Sequence, residues 1–354
     1  MTLRTDGFEP VLAALAAGAQ QYFGDARALV EPVARLERPF SALLRLRVHA
    51  GGRDSHAFAK VFKPRFSTPE ELAQLRRWVE REFRACTRLH EALHPHAGLT
   101  ALRPVAVFPD DLAIVTEEVV GTTFERLLRD ALWGRRVAVP VDLIAQRIGA
   151  WIRTYQAVID AEGSLVLDER REYLAVRLRR LANAGVFKEA DCSNALARFD
   201  ELASRVSPAS QPLVAIHADL NPGNILVSAD GEVTILDFAM AKAGTRFHDL
   251  AHLYMHLEFL RWRPRLKSGT VGDAQTALLR GYGGDASSSE ALFQLMLLQH
   301  FVCHVALLIE RPSGPLDPAF RWFVRRRWAR CARIPELGLR EKAAPSRRSS
   351  AASQ

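Results

Sequence analysis

The stretch V-A-I-H-A-D-L-N-P-G-N-I-L-V-S-A-D-G-E-V-T-I-L-D-F, residues 214–238, decides how this chain is read. Two short apolar runs flank Asp230-Gly231, and a D-G pair between such runs signals a two-residue hairpin loop. With that loop, Ala229 faces Glu232 and Asn224 falls opposite Asp237. Opposed residues of a hairpin share a face, with Cβ atoms roughly 4.5–5.5 Å apart. The register therefore delivers an amide oxygen and a carboxylate side by side, hard oxygen ligands suited to Mg²⁺. Asp219 lies on the preceding loop, five residues before Asn224, free to face a substrate hydroxyl.

The rest of the chain is an ordinary globular sequence around this segment. Its 354 residues are 48% apolar and 25% charged, which excludes wholesale disorder. At about 150 residues per domain the length predicts two lobes or one large fold. Cys86, Cys192, Cys303 and Cys331 lie far apart with no C-x-x-C pair. That excludes a disulfide framework and a cysteine zinc ribbon, and it favours a reducing compartment. The most apolar run, Ala291 to Ile309, is interrupted by Gln294, Gln299, His300 and His304, so it reads as a buried helix. Asp6 and Glu9 stand where a signal peptide carries positive charge, and the expected location is cytoplasmic. The net charge of +8 is confined to the segment from Arg321 onward; the first 320 residues hold 38 basic and 38 acidic side chains. A basic face throughout is absent, and no nucleic-acid reading module is recognisable.

Local patterns give the order of elements. Residues 8–29 read as an N-terminal helix and residues 33–63 as strands around the turn A-G-G-R-D. Thr68, Pro69 and Glu71 then mark a helix start as cap, first helical residue and capping-box acid. Strand-like runs follow at 102–108 and 112–120, and patterns from Thr123 to about Arg205 are mostly helical. Strands first and helices after them predict a small α+β lobe leading a larger helical one.

The segments H-A-D-L-N-P-G-N-I-L, I-L-D-F-A and H-D-L-A resemble the catalytic region of the aminoglycoside phosphotransferase and choline kinase family, which shares the protein-kinase-like fold. The resemblance covers roughly residues 35–260 and is strongest at 214–252. It implies an α+β, two-lobed fold, with a small N-terminal sheet lobe carrying one key helix and a larger, mainly helical C-terminal lobe. The expected divisions are an N-terminal extension at 1–30, the sheet lobe at 31–120, the helical lobe at 121–335 and a basic disordered tail at 336–354. By the kinase template, Asp219 becomes the base that accepts the hydroxyl proton, and Asn224 and Asp237 hold the metal. The resemblance further implies that His217 braces the loop and that Asp249 anchors it.

A kinase reading also requires a lysine on an early strand and a glutamate on the next helix. Lys60, in A-F-A-K-V-F, shares a strand face with Phe58 and Phe62, whereas Lys63 reads as solvated. On the capped helix, positions 75, 79, 82, 86, 89 and 93 form one stripe in which Glu82 is the only charge. A buried carboxylate needs a partner, and Lys60 is the one this fold supplies, holding the nucleotide phosphates. The run A-I-V-T-E-E-V-V-G resembles the family's inter-lobe hinge, where backbone groups of Glu117, Glu118 and Val119 would read adenine and Gly121 would turn the chain. The stretch between the first strands, L-E-R-P-F-S-A-L, has no G-x-G-x-x-G, leaving Ser41 and nearby amides to cover the phosphates. Ala218 stands where a glycine is common, D-F-A replaces D-F-G, and Gln156 occupies an expected histidine position.

The implied reaction is transfer of the ATP γ-phosphoryl group, with Mg²⁺, to a hydroxyl of a small molecule of the sugar, amino sugar or amino alcohol type. Arg261, Arg263 and Arg265 around Trp262, and the run R-W-F-V-R-R-R-W-A-R from Arg321, keep two alternatives open. One is an anionic or envelope-glycan or lipid-linked acceptor with peripheral membrane contact; the other, prompted by the missing glycine loop, is nucleotide binding without turnover. Only twelve positions separate Asp237 from Asp249, too few for a phosphorylatable activation loop of the usual kind.

Overall fold

The computed structural model describes residues 5–93, 98–206, 211–261, 268–283 and 290–310, together with Trp322 and Arg326. In chain order the elements are α1 (Glu9–Ala17), α2 (Ala19–Phe23), β1 (Leu29–Glu37), β2 (Ser41–Ala50), β3 (Arg53–Phe62), α3 (Pro69–Leu93), β4 (Leu99–Thr100), β5 (Pro104–Phe108), β6 (Ala113–Glu117) and β7 (Thr122–Thr123). They continue with α4 (Phe124–Leu132), α5 (Val141–Val158), α6 (Leu167–Asn183), α7 (Glu189–Ala203), β8 (Val214–Ile216), β9 (Ile225–Val227), β10 (Val233–Ile235), β11 (Lys242–Gly244), α8 (His248–Arg261), α9 (Ser268–Tyr282) and α10 (Ala291–Glu310). The chain divides into two units, Met1–Leu165 with Ser207–Ala286, and Val166–Val206 with Ser287–Gln354.

The first unit is led by an antiparallel sheet of order β1-β2-β3-β6-β5. Strand β2 alternates as its sequence requires, burying Leu44, Leu46 and Val48 between the outward Arg45 and Arg47. That face packs with Ala57, Ala59 and Val115 against Phe8, Val11 and Leu15 at the N-terminus. The expected single helix over 8–29 is instead two helices, and strand pairing already begins at Leu29 opposite His49. Gly18 separates the two helices.

The opposite face of the sheet carries Phe62 and Leu112 against Leu75 and Val79 of α3. All six stripe positions of α3 are buried: Leu75, Val79, Glu82, Cys86, Leu89 and Leu93. The start of α3 differs from a capping box. Glu71 N–H does donate to Thr68 Oγ1 at 3.2 Å, but the Glu71 carboxylate accepts from the backbone amides of Arg65, Phe66 and Ser67 at 2.8–2.9 Å. Three amides of the entering chain outcompete the single amide of the cap.

Among the described residues of the second unit, α6 buries Leu174, Leu178 and Leu181, and α7 buries Ala195, Phe199 and Leu202. In α10 the residues from Ala291 to Val302 are buried, as the apolar run predicts for a core helix. No described helix is long and apolar enough to cross a membrane.

Candidate active site

The segment expected to be catalytic is built from β8, a loop, the β9–β10 hairpin and the short turns around it. The hairpin register differs by one residue from the sequence reading. Val227 pairs with Val233 and Ile225 with Ile235, so Asn224 stands opposite Leu236, whose N–H it accepts at 2.9 Å. The loop has three residues, not two. Gly231 N–H closes a turn on the Ser228 carbonyl, Gly231 takes φ +80°, and Ser228 N–H bonds the Glu232 carbonyl. This is a type I turn followed by a left-handed residue, the usual three-residue hairpin, and glycine suits that last position.

Two local features bend the backbone at the ends of the hairpin, where Asn224 and Asp237 stand. Pro222–Asn224 form a 3-10 turn capped by Asn221, whose Oδ1 accepts Gly223 N–H at 2.9 Å. Asp237 sits in the left-handed region, at φ 69°. A non-glycine residue there is uncommon, and such residues gather at functional sites. Ala218 is also left-handed, at φ 66°, which is the physical reason a glycine would be at home in this position.

The loop is held from beneath by buried groups. Asp249, 1% exposed, accepts the consecutive backbone amides of His217 at 2.7 Å and Ala218 at 2.9 Å. Burial pushes its pKa up to about 6, against the pull of those two amides. His217 is fully buried, and burial holds its pKa down to about 4, so the ring is neutral. Its Nε2–H donates to the Leu236 carbonyl at 2.8 Å, and its Nδ1 accepts Asp219 N–H at 3.3 Å. The ring packs on Phe238, which lies in turn against Trp151 and Tyr155.

Asp219 is oriented by two amides. Asn224 Nδ2 donates to its carbonyl at 3.0 Å and its Oδ2 at 3.3 Å, while Asn221 Nδ2 reaches its carbonyl at 3.1 Å and its Oδ1 at 3.4 Å. Burial raises the Asp219 pKa and the charge of Asp237 adds to it, partly offset by those amides.

Lys60 joins the sheet to this segment. Its Nζ lies 3.1 and 3.0 Å from the Glu82 carboxylate oxygens and 2.7 Å from Asp237 Oδ1. Burial alone would depress the lysine pKa, but the two carboxylates outweigh it and keep the ammonium charged. Glu82 is 3% exposed; burial and Asp237 push its pKa up while Lys60 opposes them. Lys60 brings the Asp237 pKa below the usual carboxylate range despite burial. Lys63, expected in solvent, is partly exposed and pairs at the surface with Glu37.

The remaining sequence candidates lie at strand ends or beyond the sheet. Ser41 is buried at the start of β2, and its carbonyl accepts Arg38 N–H at 2.9 Å across the tight Pro39-Phe40 turn. In the hinge run, Glu117 N–H bonds the Arg103 carbonyl and Glu118 N–H the His56 carbonyl, both at 2.9 Å. Of the three amides, only that of Val119 is left without a partner among the described residues. At Gly121, where a turn is expected, packing gives a further reason for glycine. A Cβ there would lie 2.8 Å from the Val227 carbonyl oxygen, so glycine allows the close approach to β9. Gln156 ties two segments, donating to the Arg246 carbonyl at 2.7 Å and accepting from Tyr282 OH at 2.7 Å.

Several contributors were not singled out from the sequence. Asn221 could have been noticed as an N-cap before Pro-Gly. Arg81, whose Nη1 donates to the Ala241 carbonyl at 2.7 Å, clamps α3 to the chain just past Asp237. Arg45 grips the Glu118 carboxylate through Nε and Nη2 at 2.8–3.1 Å. Both are long-range pairs that spacing does not reveal. Arg263, Arg265, Trp262, the 336–354 tail and most of the run from Arg321 lie outside the described residues, where only Trp322 and Arg326 of that run are seen, the guanidinium 5.3 Å from the indole.

Comparison with known proteins agrees with this architecture. Among curated proteins, none matches the sequence. Two solved structures are similar over 92% of this chain and 97% of their own: the streptomycin-ATP-APH(2")-IIa ternary complex, at 11% identity and TM-score 0.55, and ADP-bound aminoglycoside phosphotransferase APH(2'')-Ib, at 12% identity and TM-score 0.52. At such identities the likeness is one of fold, here the α+β, protein-kinase-like fold. The model of the phosphotransferase enzyme family matches residues 39–286, well over half of the sequence and the whole of the catalytic segment, and the chain belongs to that family.

Proposed function

We propose that this protein transfers the γ-phosphoryl group of ATP to a hydroxyl of a small molecule, of the sugar, amino sugar or amino alcohol type. The observation that carries the reading is the chain Glu82–Lys60–Asp237, with Asp219 held beside it by Asn221 and Asn224. Phosphoryl transfer needs little covalent chemistry from a protein; it needs positioning and charge compensation. Lys60 offers a charged ammonium for the phosphates, and Glu82 fixes its direction. The Val119 amide is open to an adenine edge, and the Pro39-Phe40 turn beside Ser41 covers the phosphate end. Asp219, with its raised pKa, orients the acceptor hydroxyl and takes its proton as the oxygen bonds to phosphorus and ADP departs.

The donor set suits Mg²⁺. Asn224 spends its Nδ2 on Asp219 and keeps Oδ1 as an acceptor, while Asp237 is ionised and its side chain is 46% exposed. Both offer hard oxygens, and a cation of this kind retains several waters. Bound there, Mg²⁺ would neutralise charge on the phosphate oxygens. The second reading, nucleotide binding without turnover, is favoured by the two-residue Pro39-Phe40 turn, which offers few amides to phosphates.

Nucleotide consumption with Mg²⁺, across aminoglycosides, amino alcohols, sugars and sugar phosphates, tests the proposal beside Asp219→Asn. Acceptor-dependent turnover that the variant lacks is the expected result. ATP binding with no turnover on any acceptor favours the second reading, and no ATP binding sinks both.

A further inference from the structure

Arg147 of α5 and Arg280 of α9 line one cavity of about 440 Å³, together with Gln146, Thr154, Leu99 and Leu143. None of the residues assigned to the site above lines it. Its floor is stiff, because α5 and α9 cross with their backbones in contact. A Cβ on Gly281 would lie 1.8 Å from the Gln146 carbonyl oxygen, and one on Gly149 2.1 Å from that of Leu278.

Each guanidinium spends a single N–H on a neutral acceptor. Arg147 Nη1 donates to the Asp230 carbonyl at 3.1 Å, and Arg280 Nη2 donates to Gln146 Oε1 at 3.2 Å. Among the described residues neither forms an ion pair, unlike Arg129, Arg135, Arg171 and Arg198 elsewhere on the surface. A guanidinium carries five N–H donors, so most of those on both arginines remain for a ligand. Among the described residues no carboxylate lines the cavity. Two planar forks arriving from different helices match an anion with several oxygens better than a single carboxylate. The volume exceeds that of a bare phosphate, and Leu99 and Leu143 supply an apolar wall for the remainder of a larger ligand.

We propose that this cavity binds the phosphoryl group of a small molecule, or free phosphate, between Arg147 and Arg280. The position gives such a ligand leverage on the catalytic segment. The Arg147 side chain fits between Gly98 and Gly231, with no room for a Cβ at either, and it holds the Asp230 carbonyl. Asp230 and Gly231 form the tip of the hairpin that ends in Asn224 and Asp237, so a ligand on Arg147 touches the far end of that hairpin.

Calorimetric titration of the full chain with inorganic phosphate tests this. Saturable binding should weaken at least about tenfold, the equivalent of 1.4 kcal/mol, in Arg280→Gln and in Arg147→Gln, and persist in Lys60→Met. Arg280 is exposed, with Gln146 its single partner among the described residues, so Arg280→Gln keeps its thermal midpoint and isolates the effect even where Arg147→Gln loosens the hairpin. A sugar phosphate that binds more tightly than phosphate identifies a phosphorylated metabolite as the ligand; equal affinity identifies phosphate itself. Absence of saturable binding overturns the proposal. So does binding that both arginine variants retain, or that Lys60→Met alone removes.

Discussion

The loop at residues 217–224 and the turn at residues 38–41 are given related tasks in the proposed reaction, and they are built in opposite ways. The loop rests on a buried carboxylate, a neutral histidine and two side-chain amides, each with a named partner. The turn is closed mainly by backbone, through Arg38 N–H to the Ser41 carbonyl and Lys63 N–H to the Phe40 carbonyl, with one side-chain bond from Lys63 Nζ to the Arg38 carbonyl at 3.2 Å. A loop held by side chains is fixed by sequence, and one altered residue disturbs several neighbours. A turn held by main chain tolerates many side chains, so its contribution to a site is invisible to motif matching.

The largest expected effect falls on chemistry. Asp219→Asn should lower turnover by about 10²–10⁴-fold while leaving the thermal midpoint in place, as steady-state rates and a melting curve would show. Next comes Asp249→Ala, which strands two buried amides at about 1–3 kcal/mol each. Urea unfolding should register a loss of about 2–6 kcal/mol; a loss below about 1 kcal/mol, close to that of an ordinary surface change, would break the comparison.

A pH series sharpens it. As pH falls from 6.5 to 4, the unfolded chain protonates His217 but the folded one does not, which removes about 3 kcal/mol. Over pH 6 to 4 the folded chain protonates Asp249 and the unfolded one does not, which adds about 3 kcal/mol. The two nearly cancel in the native protein. His217→Gln should therefore gain stability relative to wild type as pH falls from 6.5 to 4, read as the difference between paired urea curves. A constant difference would mean that the histidine is not buried neutral.

Smaller effects complete the contrast. Ala218→Gly should stabilise the protein by about 0.5–1 kcal/mol by relieving a left-handed alanine. Two glycines inserted between Pro39 and Phe40 should cost less than about 1 kcal/mol, since loop closure depends weakly on length. If that insertion also leaves the KM for nucleotide unchanged, the turn has no part in gripping phosphate.

What could be read from the sequence follows the same division. Glu82 was legible because one charge in an apolar helical stripe calls for a partner, and Lys60 lay on the only strand face able to reach it. The catalytic segment was legible as a motif, yet its register was off by one. D-G marks a hairpin without saying whether Gly231 is the second loop residue or the third, and only the bond from Gly231 to Ser228 decides that. Arg81 and Arg45 were illegible because their partners, Ala241 and Glu118, are far away in sequence, and one of them is a backbone carbonyl. The strain at Asp237 left no trace in composition at all.

The contact between Lys60 and Asp237 has a consequence for the thermodynamics of loading the cleft. Asp237 already owns a counter-ion, and that counter-ion is tethered to the sheet through β3. In the proposed reaction a cation arriving at Asp237 would compete with an ammonium already bound there, so its entry would be partly an ion exchange and not a simple addition. The ammonium loosened in this way, still held by Glu82, would then turn toward the incoming phosphates.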